Sequence, residues 1–265
     1  MNIALGVEYD GAAYSGWQRQ KHAPSVQADL ENAISQVANH PVRVVAAGRT
    51  DTGVHATQQV VSFACRVERP LKAWRDGVNS LTSKGVKVRW AAAVLDNFHA
   101  RYSATSRRYL YLFRISGAPA PLSDSLTWRV DGLDVDAMHR SGQGLIGEHD
   151  FTTFRAAGCQ SASAFRCIHR LSVQRFGEIA ILDVQANAFL LHMVRNIAGA
   201  LVEVGRAKRD PASITECLLL KDRSSIGKTA PPQGLYLVDV TYPGQSFPSG
   251  TLPPPIQGLG SLDRL

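Results

Sequence analysis

Val42-Arg43-Val44-Val45-Ala46-Ala47-Gly48-Arg49-Thr50-Asp51-Thr52-Gly53-Val54-His55 is followed by a second apolar run, Gln58 to Ala64. The pattern reads as strand, loop, strand. One carboxylate, Asp51, stands between two glycines, with Arg49 two residues before it and His55 four after. A loop held by a rigid hairpin is where reacting groups are presented. Glycines on both sides let the backbone turn sharply and let a large substrate come close. Asp51 is therefore the first candidate for a reacting group. The alternative is plain turn chemistry, because Asp bonds readily to its own backbone two residues on.

Working outward, Ile3–Tyr9 alternates as a strand and Asp10–His22 is a Gly-containing loop. Ser25 caps a helix running to about Asn39, with Val26, Leu30, Ala33, Ile34 and Val37 on one stripe. The strands Val42–Ala47 and Gln58–Cys65 follow, then a helix from Pro70 through Leu81 and a strand at Val86–Leu95. The order is β-α-β-β-α-β. The second half repeats it: strand Arg107–Ile115, helix Asp134–Ile146, a hairpin of Phe165–Arg175 and Glu178–Gln185, helices Phe189–Arg206 and Pro211–Leu220, and strand Leu235–Tyr242. The fold class expected is α+β. It comprises two ferredoxin-like βαββαβ halves, residues 1–104 and 105–242, each with helices on one face of an antiparallel sheet. Substrate would bind on the uncovered sheet faces or in a central cleft between the halves. Residues 243–265 are rich in Pro, Gly and Ser without periodicity and read as a flexible tail.

Composition narrows the function classes. The chain has 265 residues and a formal charge of +7, with arginines spread over its whole length. A basic globular protein suggests a polyanionic partner, most often nucleic acid. Cys65, Cys159, Cys167 and Cys217 form no C-x-x-C and no zinc-ligand spacing, so they read as reduced thiols with no metal site. No apolar run approaches the roughly 20 residues that span a bilayer, and the N-terminus lacks a signal-peptide layout. A soluble cytoplasmic protein is expected. Asp-Thr-Gly is also an aspartic-protease signature. That chemistry needs a second carboxylate, however, and the chain has no second Asp-Thr-Gly. The RNA-recognition motif shares the β-α-β-β-α-β order, yet Gln58–Phe63 lacks its aromatic signature.

Two further segments supply partners for Asp51. The helix from Phe189 is apolar around most of its circumference, with His192, Arg195, Asn196, Gly199 and Glu203 on one strip. Leu191, Ala198 and Val202 surround Arg195, and a partly buried arginine needs a carboxylate. Asp51 would make sense of it. On the strand Arg107–Phe113, Tyr109, Tyr111 and Phe113 share one face. Tyr109 stands beside two arginines, where an aromatic could stack on a base while the arginines hold phosphate.

The chain resembles the tRNA pseudouridine synthase A family over about residues 1 to 242. The resemblance is carried by Tyr9-Asp10-Gly11 with Tyr14-Ser15-Gly16-Trp17-Gln18-Arg19-Gln20, by Gly48 to His55, by Phe98-His99-Ala100-Arg101-Tyr102-Ser103-Ala104, and by Arg107-Arg108-Tyr109. It continues in His149-Asp150-Phe151 with Phe154-Arg155, in His192-Met193-Val194-Arg195-Asn196 and in Gly234-Leu235-Tyr236-Leu237. Thr52 stands where alanine is common, and His99 where asparagine is common; neither removes a reacting group. The resemblance implies isomerisation of uridine to pseudouridine at positions 38, 39 and 40 of the tRNA anticodon stem-loop, without a cofactor. It implies Asp51 as nucleophile or base, Tyr109 against the ring, Arg195 orienting Asp51, Leu235 walling the uracil and Arg49 filling the space of the flipped base. Arg19, Lys21, Arg101, Arg107, Arg108 and Arg155 would contact phosphates. A homodimer acting on tRNA is expected. The competing reading is a catalytically silent RNA-binding protein.

Overall fold

In the computed structural model, which describes the backbone of residues 1–265 and every side chain but that of Arg264, the chain forms two compact units. One comprises Met1–Thr105 with Tyr236–Pro253, the other Ser106–Leu235 with Pro254–Leu265. Both are mixed α and β, and the strand pairing is mostly antiparallel.

The first unit begins with β1 (Asn2–Tyr9), α1 (Val26–Ala38), β2 (Val45–Ala46), β3 (His55–Ala64), α2 (Val78–Leu81) and β4 (Val86–Val94). β1 lies between β3 and β4, antiparallel to both, and β2 adds to β3. Ser25 caps α1 as expected, its Oγ accepting from the Ala28 amide at 3.3 Å, and Asn39 ends the helix in a left-handed conformation. Leu30 and Ile34 are wholly buried. So is Glu31, which accepts from Arg19 at 2.9 Å, Arg43 at 2.7 Å, Gln27 at 3.0 Å and the Val44 amide at 3.1 Å. The last bond explains why β2 is shorter than the expected Val42–Ala47, since a side chain takes a backbone donor that a ladder would have used. The expected Pro70–Leu81 helix contains a π-helical turn, Ala73–Gly77, which seats the buried Trp74 edge-on to Phe63 at 5.3 Å.

The second unit runs β5 (Ser106–Ile115), α3 (Pro121–Asp124), β6 (Trp128–Val130), α4 (Val135–Gly142), β7 (Gly147–Asp150), β8 (Phe165–Phe176), β9 (Ile179–Ala186), α5 (Met193–Gly205) and α6 (Ser213–Leu220). Its antiparallel order is β5-β9-β8-β7, with β6 parallel to β5. The β8–β9 hairpin turns at Gly177, whose φ of 60° suits glycine. α5 starts four residues later than expected because His192 holds a left-handed φ of 60° and breaks the helix before Met193.

The last strand corrects the sequence reading. β10 (Leu235–Thr241) was expected to close the second half; from Tyr236 onward it belongs to the first unit, pairing in parallel with β3 through Tyr236–His55 and Leu237–Ala56. The expected tail is a second correction. Phe247 stacks on Trp90 at 4.6 Å, and the Pro248 carbonyl accepts from Gln58 at 2.6 Å. Leu252, Ile256, Leu262 and Leu265 are buried. With Trp90 lying over Gly6, and Phe247 on Trp90, β1 is buried from Ile3 to Val7 on both faces, so this sheet face is not the open surface expected. Among the described residues no helix is long and apolar enough to cross a membrane.

Candidate active site

The loop joining β2 to β3 carries Asp51, half-buried, and Arg49, exposed. Its shape follows from several local constraints. Gly53 takes a φ of 77°, and the Val54 amide closes a turn onto the Asp51 carbonyl at 3.1 Å. Gln59 donates to the Gly48 carbonyl at 2.8 Å, and the Ala47 amide bonds to Val60 at 2.8 Å. The base of the loop is thereby tied to β3.

Two other segments hold it from outside. The Tyr9 hydroxyl bonds to the Thr50 hydroxyl at 2.8 Å, one residue before Asp51. Burial pushes the Tyr9 phenol well above its ordinary pKa, partly offset by hydrogen bonds with Thr50 and Gln59, so it stays a neutral hydroxyl. The Trp17 amide donates to the Thr50 carbonyl at 3.0 Å. Gly16 lies flat against the loop, where a Cβ would come within 2.9 Å of the Thr50 oxygen. Beneath, His55 stacks on Tyr236 at 4.9 Å, and its Nδ1 lies 3.2 Å from the Gly11 amide and 3.1 Å from the Asp10 carboxylate. The motif around Tyr9 to Trp17, singled out in the sequence without a role, is thus the frame of the Asp51 loop.

In the second unit, Tyr109 lies on β5 opposite Val184, buried, with Phe189 edge-on at 5.0 Å. Arg195 is half-buried on α5, its Nε donating to the Ala230 carbonyl at 2.8 Å, while the Ala230 amide returns a bond to the Arg195 carbonyl at 3.1 Å. Burial raises the Tyr111 phenol, and the positive charge of Arg195 partly offsets that. On the polar strip of α5, Asn196 and Gly199 are buried, while His192, Arg195 and Glu203 are partly exposed. Asn196 is fully buried, donating to the Phe154 carbonyl at 2.8 Å and accepting from Thr229 at 2.7 Å and Arg223 at 3.1 Å. Leu235 is buried where β10 begins.

The six basic residues expected at phosphates divide by environment. Lys21 and Arg101 are exposed. Arg19 is exposed but paired to Glu31, and with Lys21, Gln18, Gln20, Gln27 and Arg43 it lines an open depression of about 620 Å³. Arg155 donates to the Cys159 and Ser161 carbonyls, each at 2.7 Å. Arg107 is buried and donates to the Asn187 carbonyl at 2.8 Å. Arg108 departs furthest from expectation. It is buried, forks onto Asp183 with two bonds of 2.8 Å and donates to the Leu262 carbonyl at 3.0 Å. That is an internal ion pair, unlike the exposed position of Lys21 and Arg101.

Comparison with known proteins adds to this geometry. The family described as tRNA pseudouridine synthase matches residues 6–103 and 143–243. The chain belongs to the tRNA pseudouridine synthase family. Within it, the chain is 51% identical over 244 residues to tRNA pseudouridine synthase A of Shewanella frigidimarina, covering 92% of this chain and 94% of that protein. It is 53% identical over 244 residues to tRNA pseudouridine synthase A of Vibrio vulnificus, covering 92% of each. Among solved structures, a Cbf5-Nop10-Gar1 complex shows a slight likeness, with a TM-score of 0.36 and 12% identity over 89% of this chain and 48% of that one. Arg19, Lys21, Arg49, Asp51, Arg101, Arg155, Arg195 and Leu235 fall inside the segments matched to the tRNA pseudouridine synthase family; Arg107, Arg108 and Tyr109 fall between them.

Proposed function

We propose that this chain isomerises uridine to pseudouridine at positions 38, 39 and 40 of the tRNA anticodon stem-loop. The observation that carries the reading is Asp51 on a loop braced from Tyr9, Gly16 and Trp17, in a chain of this family. In the reaction the N1–C1′ bond of the uridine breaks, the uracil turns, a C5–C1′ bond forms, C5 gives up its proton and N1 takes one. No electrons or groups are exchanged with a second molecule, so no cofactor is called for. Asp51 is the group that attacks or deprotonates the nucleoside. Its brace matters because a nucleophile displaced by about 1 Å loses much of its advantage.

The remaining roles belong to the same proposal. Tyr109 packs against the uracil, Leu235 walls it, and Arg195 orients and charge-balances Asp51. Arg49, exposed two residues before Asp51, fills the stack when the base is flipped out. Lys21, Arg101 and Arg19 offer charge to the phosphate backbone, with Arg107 and Arg155 contributing where their donors reach outward. A homodimer and a cytoplasmic location complete the reading.

The test is to incubate purified protein with an unmodified tRNA transcript and no added cofactor, then map pseudouridine by sequence position. Pseudouridine at 38, 39 or 40 is the expected result. Its absence from the anticodon arm, with tRNA and protein both folded, overturns the proposal.

A further inference from the structure

Most large aromatic side chains in the first unit are buried, but Tyr102 is 77% exposed. A single exposed aromatic means little by itself. The loop beneath it is another matter, because it is tied down at nearly every residue. The Ala100 amide donates to the Ser62 hydroxyl on β3 at 3.0 Å, and the Ala100 carbonyl accepts from the buried Tyr242 hydroxyl at 2.7 Å. The His99 amide donates to the Ser103 hydroxyl at 3.1 Å, and the Ser103 amide to the His99 carbonyl at 2.9 Å. His99 Nδ1 accepts from the amides of Arg101 and Tyr102, at 3.2 and 3.1 Å.

These bonds fix the side chains as well as the backbone. The His99 ring, held by its own Nδ1, stacks on Tyr102 at 4.3 Å with a tilt of 24°. The Arg101 guanidinium carbon lies 5.6 Å from the Tyr102 ring centroid. His99 thus backs the ring, a cation stands at it, and most of its surface remains in water. Ordering an aromatic in solvent without burying it has no evident use to the fold. It does lower the entropy cost of receiving a flat partner.

Resting on the function proposed above, we infer that His99, Arg101 and Tyr102 form a stacking platform for an unpaired nucleobase of the RNA substrate, separate from the base being isomerised. The base packs against the exposed part of Tyr102, adding to the His99–Tyr102 stack. Arg101 then supplies a cation to the base or to its phosphate. Aromatic platforms flanked by arginine are the recurrent solution for unpaired bases. The positive charge beside the ring favours RNA over a second copy of this basic chain. The platform takes any base, because every base presents a π face.

Full-length wild type, Tyr102→Phe, Tyr102→Trp and Tyr102→Ala are compared for binding to an unmodified tRNA transcript over a range of salt, with sedimentation velocity and melting temperature recorded for each. Tyr102→Ala is expected to fold normally and to bind roughly tenfold to a hundredfold more weakly. The slope of log Kd against log salt should be unchanged, because no phosphate contact is lost. Tyr102→Phe and Tyr102→Trp should bind like wild type. Tyr102→Ala binding within twofold of wild type overturns the platform. So does a loss that tracks a change of oligomeric state, which would make Tyr102 a contact between copies. If wild type forms pseudouridine in the anticodon arm while Tyr102→Ala binds normally, only the platform fails. If wild type neither binds nor modifies tRNA, the proposed function fails with it.

Discussion

Gly11 lies directly under Val54: a Cβ built on Gly11 would stand 2.0 Å from the Val54 carbonyl oxygen and 2.5 Å from its carbonyl carbon. Both atoms belong to backbone, which cannot swing aside like a flexible side chain. Val54 also closes the turn that begins at Asp51. Gly11→Ala must therefore push the Asp51 loop off its frame. Turnover should fall at least tenfold, about 1.4 kcal/mol in barrier, with a lower melting temperature. Near-normal turnover with unchanged stability would mean that the loop's position is not critical.

Arg108 and Lys21 should respond in opposite ways. Among the described residues, Arg108→Ala leaves Asp183, which is 1% exposed, with the looser Arg170 contact at 3.4 Å, and it removes a donor from the Leu262 carbonyl. The expected loss is about 3 kcal/mol of stability, read by urea denaturation, with the salt slope of tRNA binding unchanged. Lys21→Ala should leave stability alone and flatten that slope by about one unit. A flattened slope in Arg108→Ala with full stability would make Arg108 a phosphate contact.

Removal of residues 246–265 should destabilise the fold cooperatively. Leu252, Ile256, Leu262 and Leu265 are buried, and Phe247 leaves Trp90 uncovered when deleted. At about 1.5 to 3 kcal/mol for each buried side chain, the loss is on the order of 6 kcal/mol, comparable to the whole stability of many domains. A truncated chain melting at the wild-type temperature would show that this packing contributes nothing.

What could be read from the sequence was what local chemistry determines. The Asp51 loop was legible because its glycines, its single carboxylate and its flanking apolar runs lie within two dozen residues. Ser25 was legible as a cap for the same reason. Glu31 was not, since its burial depends on Arg19, Arg43 and the Val44 amide, which only the folded chain gathers around it. The partner of Arg108 is not legible either, because alternation along β5 shows which face it occupies but not that Asp183, 75 residues on, stands there. The C-terminal segment misled by composition. Its apolar residues follow no helical or strand period, and they are buried by surfaces, such as Trp90 over Gly6, that exist only once the sheet has formed.

Asp51→Asn is the substitution that decides the chemistry. Asparagine keeps the shape and serves a turn about as well as aspartate, so the brace from Tyr9, Gly16 and Trp17 should survive. The charge and nucleophilicity are lost. If Asp51 reacts with the nucleoside, turnover should drop by several orders of magnitude, about 4 kcal/mol or more in barrier. Affinity for tRNA should change little, since phosphate contacts dominate it and lie elsewhere. Single-turnover assays with saturating enzyme separate the two quantities. If more than roughly a tenth of the wild-type rate remains, a barrier change under about 1.4 kcal/mol, then Asp51 only shapes the turn, and the reacting group must be sought elsewhere in the chain.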